Sequence, residues 1–371
     1  MSLLAAVLGA FLLYLLQKYL YQKWWAKNLS IRLAFNKDTA VEGDSLTLIE
    51  TVANRKLLPL PLLKVKFETS KYLGFPGMEN AAVTDNYYRS DIMSLMMYQK
   101  FTRQLPFQCR HRGYYTVDKA DIVCSDLFLS SEMVMDFPQS LALYVYPKTV
   151  AALPFEQVFK TMLGTVLTKR FTNEDPFEFR SIREYQPYDT LKSVNWKASS
   201  KTGELKVNAY NYTSSFQVKI LLNLERETAL RQEDLEEESI RLASTLSEEF
   251  LAQGVPVSLV TNCRNISGEI TETIQAGSGI HHLDSINKTL SLLDTSNSPL
   301  PFFSCLGDYG MSAKNEYIIF LSTYQKEDFQ EFLCDISARK IDFSWILPVN
   351  NDITVTVREE LKSKSIIWMT A

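Results

Sequence analysis

With 371 residues the chain has room for two cores of ordinary size, and 46% apolar against 22% charged residues describes folded rather than disordered polypeptide. The formal net charge is −4 with Lys and Arg spread along the sequence, which excludes the basic footprint and the motifs of a nucleic-acid-binding protein. Five widely spaced cysteines without a CxxC pair, and three scattered histidines (His111, His281, His282), give no zinc ribbon, thioredoxin-like site or histidine cluster; the thiols read as reduced and buried, as in a reducing compartment.

Residues 1–28 are expected to form a membrane anchor and juxtamembrane segment. Leu3 to Leu16 is an almost unbroken apolar run, extended by Tyr19, Leu20 and Tyr21. About 20 residues cross a bilayer as a helix, so Ser2 to Gln22 is long enough if Lys18 snorkels. Trp24 and Trp25 then fall in the interfacial aromatic belt. A cleaved signal peptide is the competing reading, but no Lys or Arg precedes the run and no A-x-A site follows it. Lys18, Lys23 and Lys27 all follow the run, and the positive-inside rule therefore places a single-pass protein in the cell membrane with its soluble part in the cytoplasm.

Over residues 29–150 the apolar period is two. Ile31, Leu33 and Phe35 alternate with polar or small neighbours, as do Leu63, Val65 and Phe67; a third such run passes through Phe101, Leu105 and Phe107, and a last one spans Leu141 to Tyr146. Turn residues at Glu42-Gly43-Asp44, Asn54-Arg55, Gly74 to Gly77 and Arg112-Gly113 punctuate these runs. Half-buried strands at this spacing predict a β-sandwich of immunoglobulin-like kind. Asn80 to Met97 does not alternate and is expected to be a loop or short helix.

Residues 151–215 read as a linker holding one dense charged run, Arg180 to Leu205. Arg180, Arg183, Glu184, Tyr185, Asp189, Trp196 and Lys197 crowd into a short span, which suits either an ion-paired clasp between domains or a surface for a protein partner.

From residue 216 to 371 strands and helices alternate. Val218 to Leu224, Val257 to Thr261, Tyr317 to Leu321, Ile341 to Leu347 and Ile366 to Met369 are apolar strands, with helical stripes between them at Ile240 to Phe250, Ile280 to Leu293 and Phe329 to Ile336. This predicts an α/β domain with a mostly parallel sheet covered on both faces. The acidic run Glu233 to Glu238 opens the first helix, where dipole compensation is its simplest role. There is no GxGxxG, GxxxxGK[ST] or GxSxG, so dinucleotide, nucleotide and hydrolase readings lack their usual support; no cofactor and no small-molecule substrate are expected.

The run from Arg180 resembles the signature of the "domain of unknown function 58" family, bacterial proteins usually encoded beside MoxR-type AAA+ ATPases. Its pattern is approximately R-E-Y-x-x-G-D-x-x-R-x-I-D-W-K; Arg183, Glu184, Tyr185, Asp189, Trp196 and Lys197 match it. Tyr188 stands where the family has glycine, Lys192 where it has arginine and Asn195 where it often has aspartate. The L-P-L-P run within Asn54 to Leu63, Arg112-Gly113-Tyr114-Tyr115 and Asp126-Leu127-Phe128 resemble the family's β-domain, so the likeness covers nearly the whole chain. It implies a C-terminal domain similar to the von Willebrand factor A fold. Metal-binding members of that fold end their first strand in D-x-S-x-S; the corresponding Asn223, Glu225 and Glu227 form a degenerate version without the small hydroxyl ligands, so no bound metal is expected. The resemblance also implies a non-enzymatic, membrane-anchored adaptor that binds protein partners, a MoxR-type ATPase among them, in assembling or maturing envelope complexes. A metal-dependent adhesion receptor is the first alternative and an enzyme of unrecognised class, using Glu184 and Asp189, the second.

Overall fold

The structure, a computed structural model, describes residues 2–370 apart from 77–80, 84–85, 151, 173, 188, 190, 213–215, 229–230, 307–314 and 352. The chain divides into two compact units, Met1–Lys148 and Thr149–Ala371.

The first unit opens with helix α1 (Ser2–Trp24), which is long and apolar enough to cross a membrane and exposes its leucines on all sides. Its second half joins the folded body. Tyr21 is 1% exposed and donates its hydroxyl to the Pro59 carbonyl at 2.7 Å, and Trp25, just past the helix, packs into the sandwich core.

Strands β1 (Leu29–Phe35), β2 (Thr39–Val41), β3 (Ser45–Asn54), β4 (Leu60–Ser70), β5 (Leu73–Gly74), β6 (Ala81–Val83), β7 (Asn86–Leu95), β8 (Lys100–Cys109), β9 (Gly113–Ser125) and β10 (Glu132–Tyr146) form a β-sandwich. Among the described residues one sheet has the order β1-β3-β8-β5 and the other β2-β10-β9-β4-β7-β6; all pairs are antiparallel except β2 with β10. Alternate residues of both sheets, Leu33, Leu48 and Phe107 from one and Val65, Ile122 and Leu143 from the other, meet in a single core, which is what the period of two requires. At the turn into β9, Tyr115 donates its hydroxyl to the carbonyls of His111 and Arg112, and its ring lies 2.9 Å from where a Cβ on Gly113 would sit, so only glycine fits there.

The stretch expected as loop or short helix, Asn80 to Met97, is instead largely strand, with residues 80 and 84–85 outside the described set. Its alternation is masked because it points charge inward. Asp91 is fully buried, bound by Arg89 Nε at 2.6 Å and Arg103 Nη1 at 2.9 Å, and Glu50 is buried in the same electrostatic cluster. Neither Glu50 oxygen has a hydrogen-bond partner, and burial, with the Asp91 charge adding to it, pushes its carboxyl up to about 7 against the pull of Arg103 and Arg89.

In the second unit the segment read as linker begins with a 21-residue helix, α2 (Ala152–Thr172), whose Phe155, Phe159, Met162 and Val166 belong to the α/β core. The segment is thus partly a structural layer of that domain. A two-stranded antiparallel ribbon follows, β11 (Glu174–Glu184) with β12 (Lys206–Tyr212), enclosing the short helix α3 (Trp196–Thr202).

The main sheet comprises β13 (Gln217–Asn223), β14 (Val257–Thr261), β15 (Ile274–Gly277), β16 (Glu316–Ser322), β17 (Phe343–Val349) and β18 (Ser365–Met369), with helices α4 (Glu233–Ala252), α5 (Ile280–Leu292), α6 (Phe302–Leu306) and α7 (Glu327–Ala338). Its order is β15-β14-β13-β16-β17-β18, parallel throughout except for the antiparallel edge strand β15. One face, with Val218, Ile220 and Leu222, is covered by α2, α4 and α5; the other, with Leu221, Phe320 and Trp345, by α6 and α7. Burial on both faces explains why the strands read as continuous apolar runs.

Candidate functional site

The charged signature segment folds into a framework of its own. Arg183, at the end of β11, donates to both Asp189 oxygens at 2.6 and 2.7 Å, and Asp189 also accepts from the Gln186 amide at 2.8 Å. The Arg183 hydrogen bonds are the largest influence holding the Asp189 carboxyl below the usual carboxylate range. Glu184 faces Lys206 across the ribbon, where they are a registered pair, at 3.4 Å; Glu204 meets the same ammonium at 3.4 Å. Burial pulls the Lys206 ammonium down, but these two carboxylates outweigh it and raise its pKa. Tyr185 is half-buried, its amide bonded to the Leu205 carbonyl at 2.9 Å. Arg180 falls in β11 and its side chain lies outside the described residues, as does Tyr188 entirely.

Asn195, where the family pattern often has aspartate, caps α3. Its Oδ1 accepts from the Ala198 amide at 2.9 Å while its Nδ2 donates to Asn208 Oδ1 at 2.7 Å. Gly203 closes the helix at φ +74°, a left-handed position that suits glycine. Ser199 then stitches helix to ribbon, its hydroxyl donating to the Asn195 carbonyl at 2.8 Å and accepting from the Lys206 amide at 2.8 Å. The sequence marks Asn195 only as a departure from the family pattern, and it does not single out Ser199, Glu204 or Lys206; the Asn-x-x-Ala…Gly bracket around α3 is the signal that points to Asn195 as a cap.

What this framework presents is a cleft of about 640 Å³ lined by Ile182, Arg183, Glu184, Gln186, Lys201 and Lys206 among others. Apolar side chains stand exposed in the same segment: Trp196 is 65% exposed, and Phe179, Ile182, Leu191 and Leu205 are exposed as well. Lys197, beside Trp196, points to solvent. Arg183 with Asp189, and Lys206 with Glu184 and Glu204, engage one another, so the segment offers a fixed shape with a basic flank and an aromatic anchor.

The second candidate region lies at the carboxyl end of β13, where the connections turn to opposite sides of the sheet, towards β14 and towards β16. Asn223 is buried and donates to Ser322 Oγ at 3.0 Å; its Oδ1 accepts from Asn262 Nδ2 at 2.9 Å and from the Glu225 amide at 2.9 Å. Asn262 also accepts from the Leu224 amide and donates to the Leu300 carbonyl. The two glutamates are used as loop ties. Glu225 accepts from the Phe302 amide at 2.9 Å and Glu227 from the Gln325 amide. The strand end is therefore closed by a neutral amide–hydroxyl network flanked by carboxylates already engaged with backbone.

The acidic opening of α4 does more than face the helix dipole. Glu236 is buried against Arg226 at 2.5 Å and Arg231 at 3.6 Å, and Glu238 accepts from Trp368 Nε1 at 2.9 Å, so the run fastens the β13 turn and the last strand to the helix.

No family model matches the chain, and no curated protein matches it. Solved structures resemble it over about a third of the chain. They include the CARDB domain of the PF1109 protein of Pyrococcus furiosus in complex with di-metal ions, at 11% identity, 32% of this chain, 90% of that one and a TM-score of 0.22. A non-cellulosomal cohesin of the archaeon Archaeoglobus fulgidus gives 10% identity over 30% of this chain and 91% of that one, TM-score 0.20. The seventh PapD-like domain of human CEP192 gives 15% over 32% and 86%, TM-score 0.18.

Proposed function

We propose that this chain is a membrane-anchored, non-enzymatic adaptor whose protein-binding surface is the segment from Phe179 to Lys206. The observation that carries the reading is Trp196, held by the Asn195 cap on a helix stitched to the ribbon, yet left 65% exposed, on the same helix whose Ala198, Lys201 and Thr202 line the charged cleft. A tryptophan presents about 250 Å², so covering the exposed part is worth about 4 kcal/mol at about 25 cal/mol per Å², the profile of an interface anchor. The anchor reading of α1 is supported by Tyr21 and Trp25: cleavage as a signal peptide would strip a buried tyrosine and its hydrogen bond from the body.

Within this reading, the C-terminal unit is a von Willebrand factor A-like domain of the "domain of unknown function 58" kind. The mostly parallel sheet with one antiparallel edge and the match of Arg183, Glu184, Tyr185, Asp189, Trp196 and Lys197 to the signature support it. The partner is then a MoxR-type AAA+ ATPase on the cytoplasmic side. A metal-dependent adhesion site is disfavoured because Glu225 and Glu227 already hold backbone amides.

Affinity purification of the tagged full chain from native membranes, with ATP and without nucleotide, tests the proposal. The AAA+ protein is expected with the wild type, and Trp196→Ala is expected to cut its recovery at least about tenfold while leaving the thermal midpoint of the chain unmoved. Equal recovery with Trp196→Ala removes the surface from the proposal, and no AAA+ protein under either condition removes the partner.

A further inference from the structure

The loop joining β9 to β10 is a built structure with an apolar tip. Asp126, fully buried, accepts from the Ser130 amide at 2.8 Å, from the Ser130 hydroxyl at 2.6 Å and from the Ser131 hydroxyl at 3.0 Å, and its carbonyl accepts from the Leu129 amide at 3.0 Å. The turn this makes pushes Leu127, Phe128 and Leu129 outward, each more than half exposed. Three consecutive large apolar side chains on a rigid turn in water are costly, at about 1.5–3 kcal/mol forgone for each side chain left unburied.

This tip lies against α1. The Phe128 and Tyr14 rings are 5.9 Å apart, Tyr14 donates to Ser130 Oγ at 3.1 Å, and Gln17 Nε2 donates to Asp126 at 3.4 Å. Tyr14 is well inside the apolar stretch. The exposed lipid-facing surface of the helix continues beyond it through Leu15, Leu16 and Tyr19 to Trp24. At the rise of an α-helix, Tyr19 is about 8 Å and Trp24 about 15 Å further along, so the level of Phe128 is on the hydrocarbon side of the aromatic belt.

The rest of that end of the sandwich agrees. The neighbouring loops carry Leu57 and Met96-Met97-Tyr98, all exposed, and they are tied to the same end by the Tyr98 amide on the Lys56 carbonyl and the Tyr21 hydroxyl on Pro59. Exposed Lys23, Lys27, Arg55 and Lys100 give this end positive charge, which complements anionic headgroups.

We propose that the Leu127–Leu129 tip, with the apolar loops beside it, is a second membrane contact that enters the bilayer alongside α1, its occupant being lipid. The inference rests on the anchor reading of α1. Aromatic and aliphatic side chains gain by leaving water at this depth, while Asp126 stays bonded to serines and Gln17 behind the tip.

The test is site-specific photo-crosslinking of the full chain, reconstituted in nanodiscs of phosphatidylcholine and phosphatidylglycerol, with benzoylphenylalanine replacing Phe128, Leu8 or Val41 in turn. Phe128 is exposed, so the bulkier ring is tolerated; Val41 is exposed at the opposite end of the sandwich, where Gly43 meets Cys109. The expected result is a lipid adduct from position 128 at least about tenfold above that from Val41, as it is for Leu8. A lipid adduct at Leu8 without one at 128 overturns the proposal while the anchor stands; so does an adduct from 128 to a second copy or to another protein. Absence of lipid adducts at Leu8 itself overturns the anchor reading, and the tip proposal with it.

Discussion

Glu50→Gln is expected to change the stability of the sandwich in a way that depends on pH. The native carboxyl is buried, has no hydrogen-bond partner, and is pushed from its ordinary 4.5 up to about 7 by burial first and the Asp91 charge second. Because the folded state keeps the proton longer, the unfolded chain loses it first as pH rises, and stability present below pH 4.5 drains away until the folded carboxyl ionises near 7. At about 1.4 kcal/mol for each pH unit between those values, the loss is about 3 kcal/mol. Glutamine keeps the shape and cannot ionise. The two proteins are therefore expected to match near pH 4.5, with the variant more stable by about 3 kcal/mol at about pH 8. Urea titrations of the detergent-solubilised full chain, read by deuterium uptake of β3 and β8 peptides, report the sandwich alone. Parallel pH profiles for the two proteins, or a variant less stable at pH 8, would refute the reasoning, since either means that Arg89 and Arg103 stabilise an ionised Glu50 in the folded state.

The remaining expectations concern the second unit. Asn195→Ala removes the α3 cap and its bond to Asn208, and is expected to cost about 1 kcal/mol locally, seen as faster amide exchange over 196–202 with the main sheet unaffected; unchanged exchange there would show that the stitching through Ser199 suffices. Asn223→Asp places a carboxylate in a buried network beside Glu225 and deletes the donor to Ser322. It is expected to destabilise the unit by about 2 kcal/mol or more at neutral pH, without recovery in millimolar Mg²⁺. A thermal midpoint restored by the metal would revive the adhesion-site reading.

The sequence made the large features legible wherever one physical rule governed a stretch. The period of two showed the strands that bury apolar residues on one face, and continuous apolar runs showed β13, β14, β16 and β17, buried on both. It failed where side chains broke the rule for a reason visible only in three dimensions. Arg89 and Asp91 look like surface residues until Arg103 arrives from β8 in the facing sheet, so β7 was hidden. The helix α2 has a weak stripe, and nothing local says that Phe159 will meet Phe250, 4.9 Å away. In the signature segment the crowding of opposite charges pointed to Glu184 and Asp189 as partners for Arg180 and Arg183, and Arg183 does bind Asp189; Asn195 stood out only as a departure from the family pattern, because its capping role depends on a helix of only seven residues. The turn after β13 showed its unusual Asn223, Glu225 and Glu227, but their partners, Asn262, Phe302, Ser322 and Gln325, come from three later connections.

The join between α1 and the sandwich has a mechanical consequence. Only Trp25 to Asn28 separate the helix from β1; Trp25 is in the core, and successive turn hydrogen bonds, from the Trp25 amide to Tyr21 and from the Leu29 amide to Ala26, leave no slack. A Gly/Ser tether lets a head sample a wide volume. On the proposed anchor reading of α1 this mount acts instead as a stiff lever: a bilayer that thins or thickens and so tilts the helix turns the sandwich through the same angle.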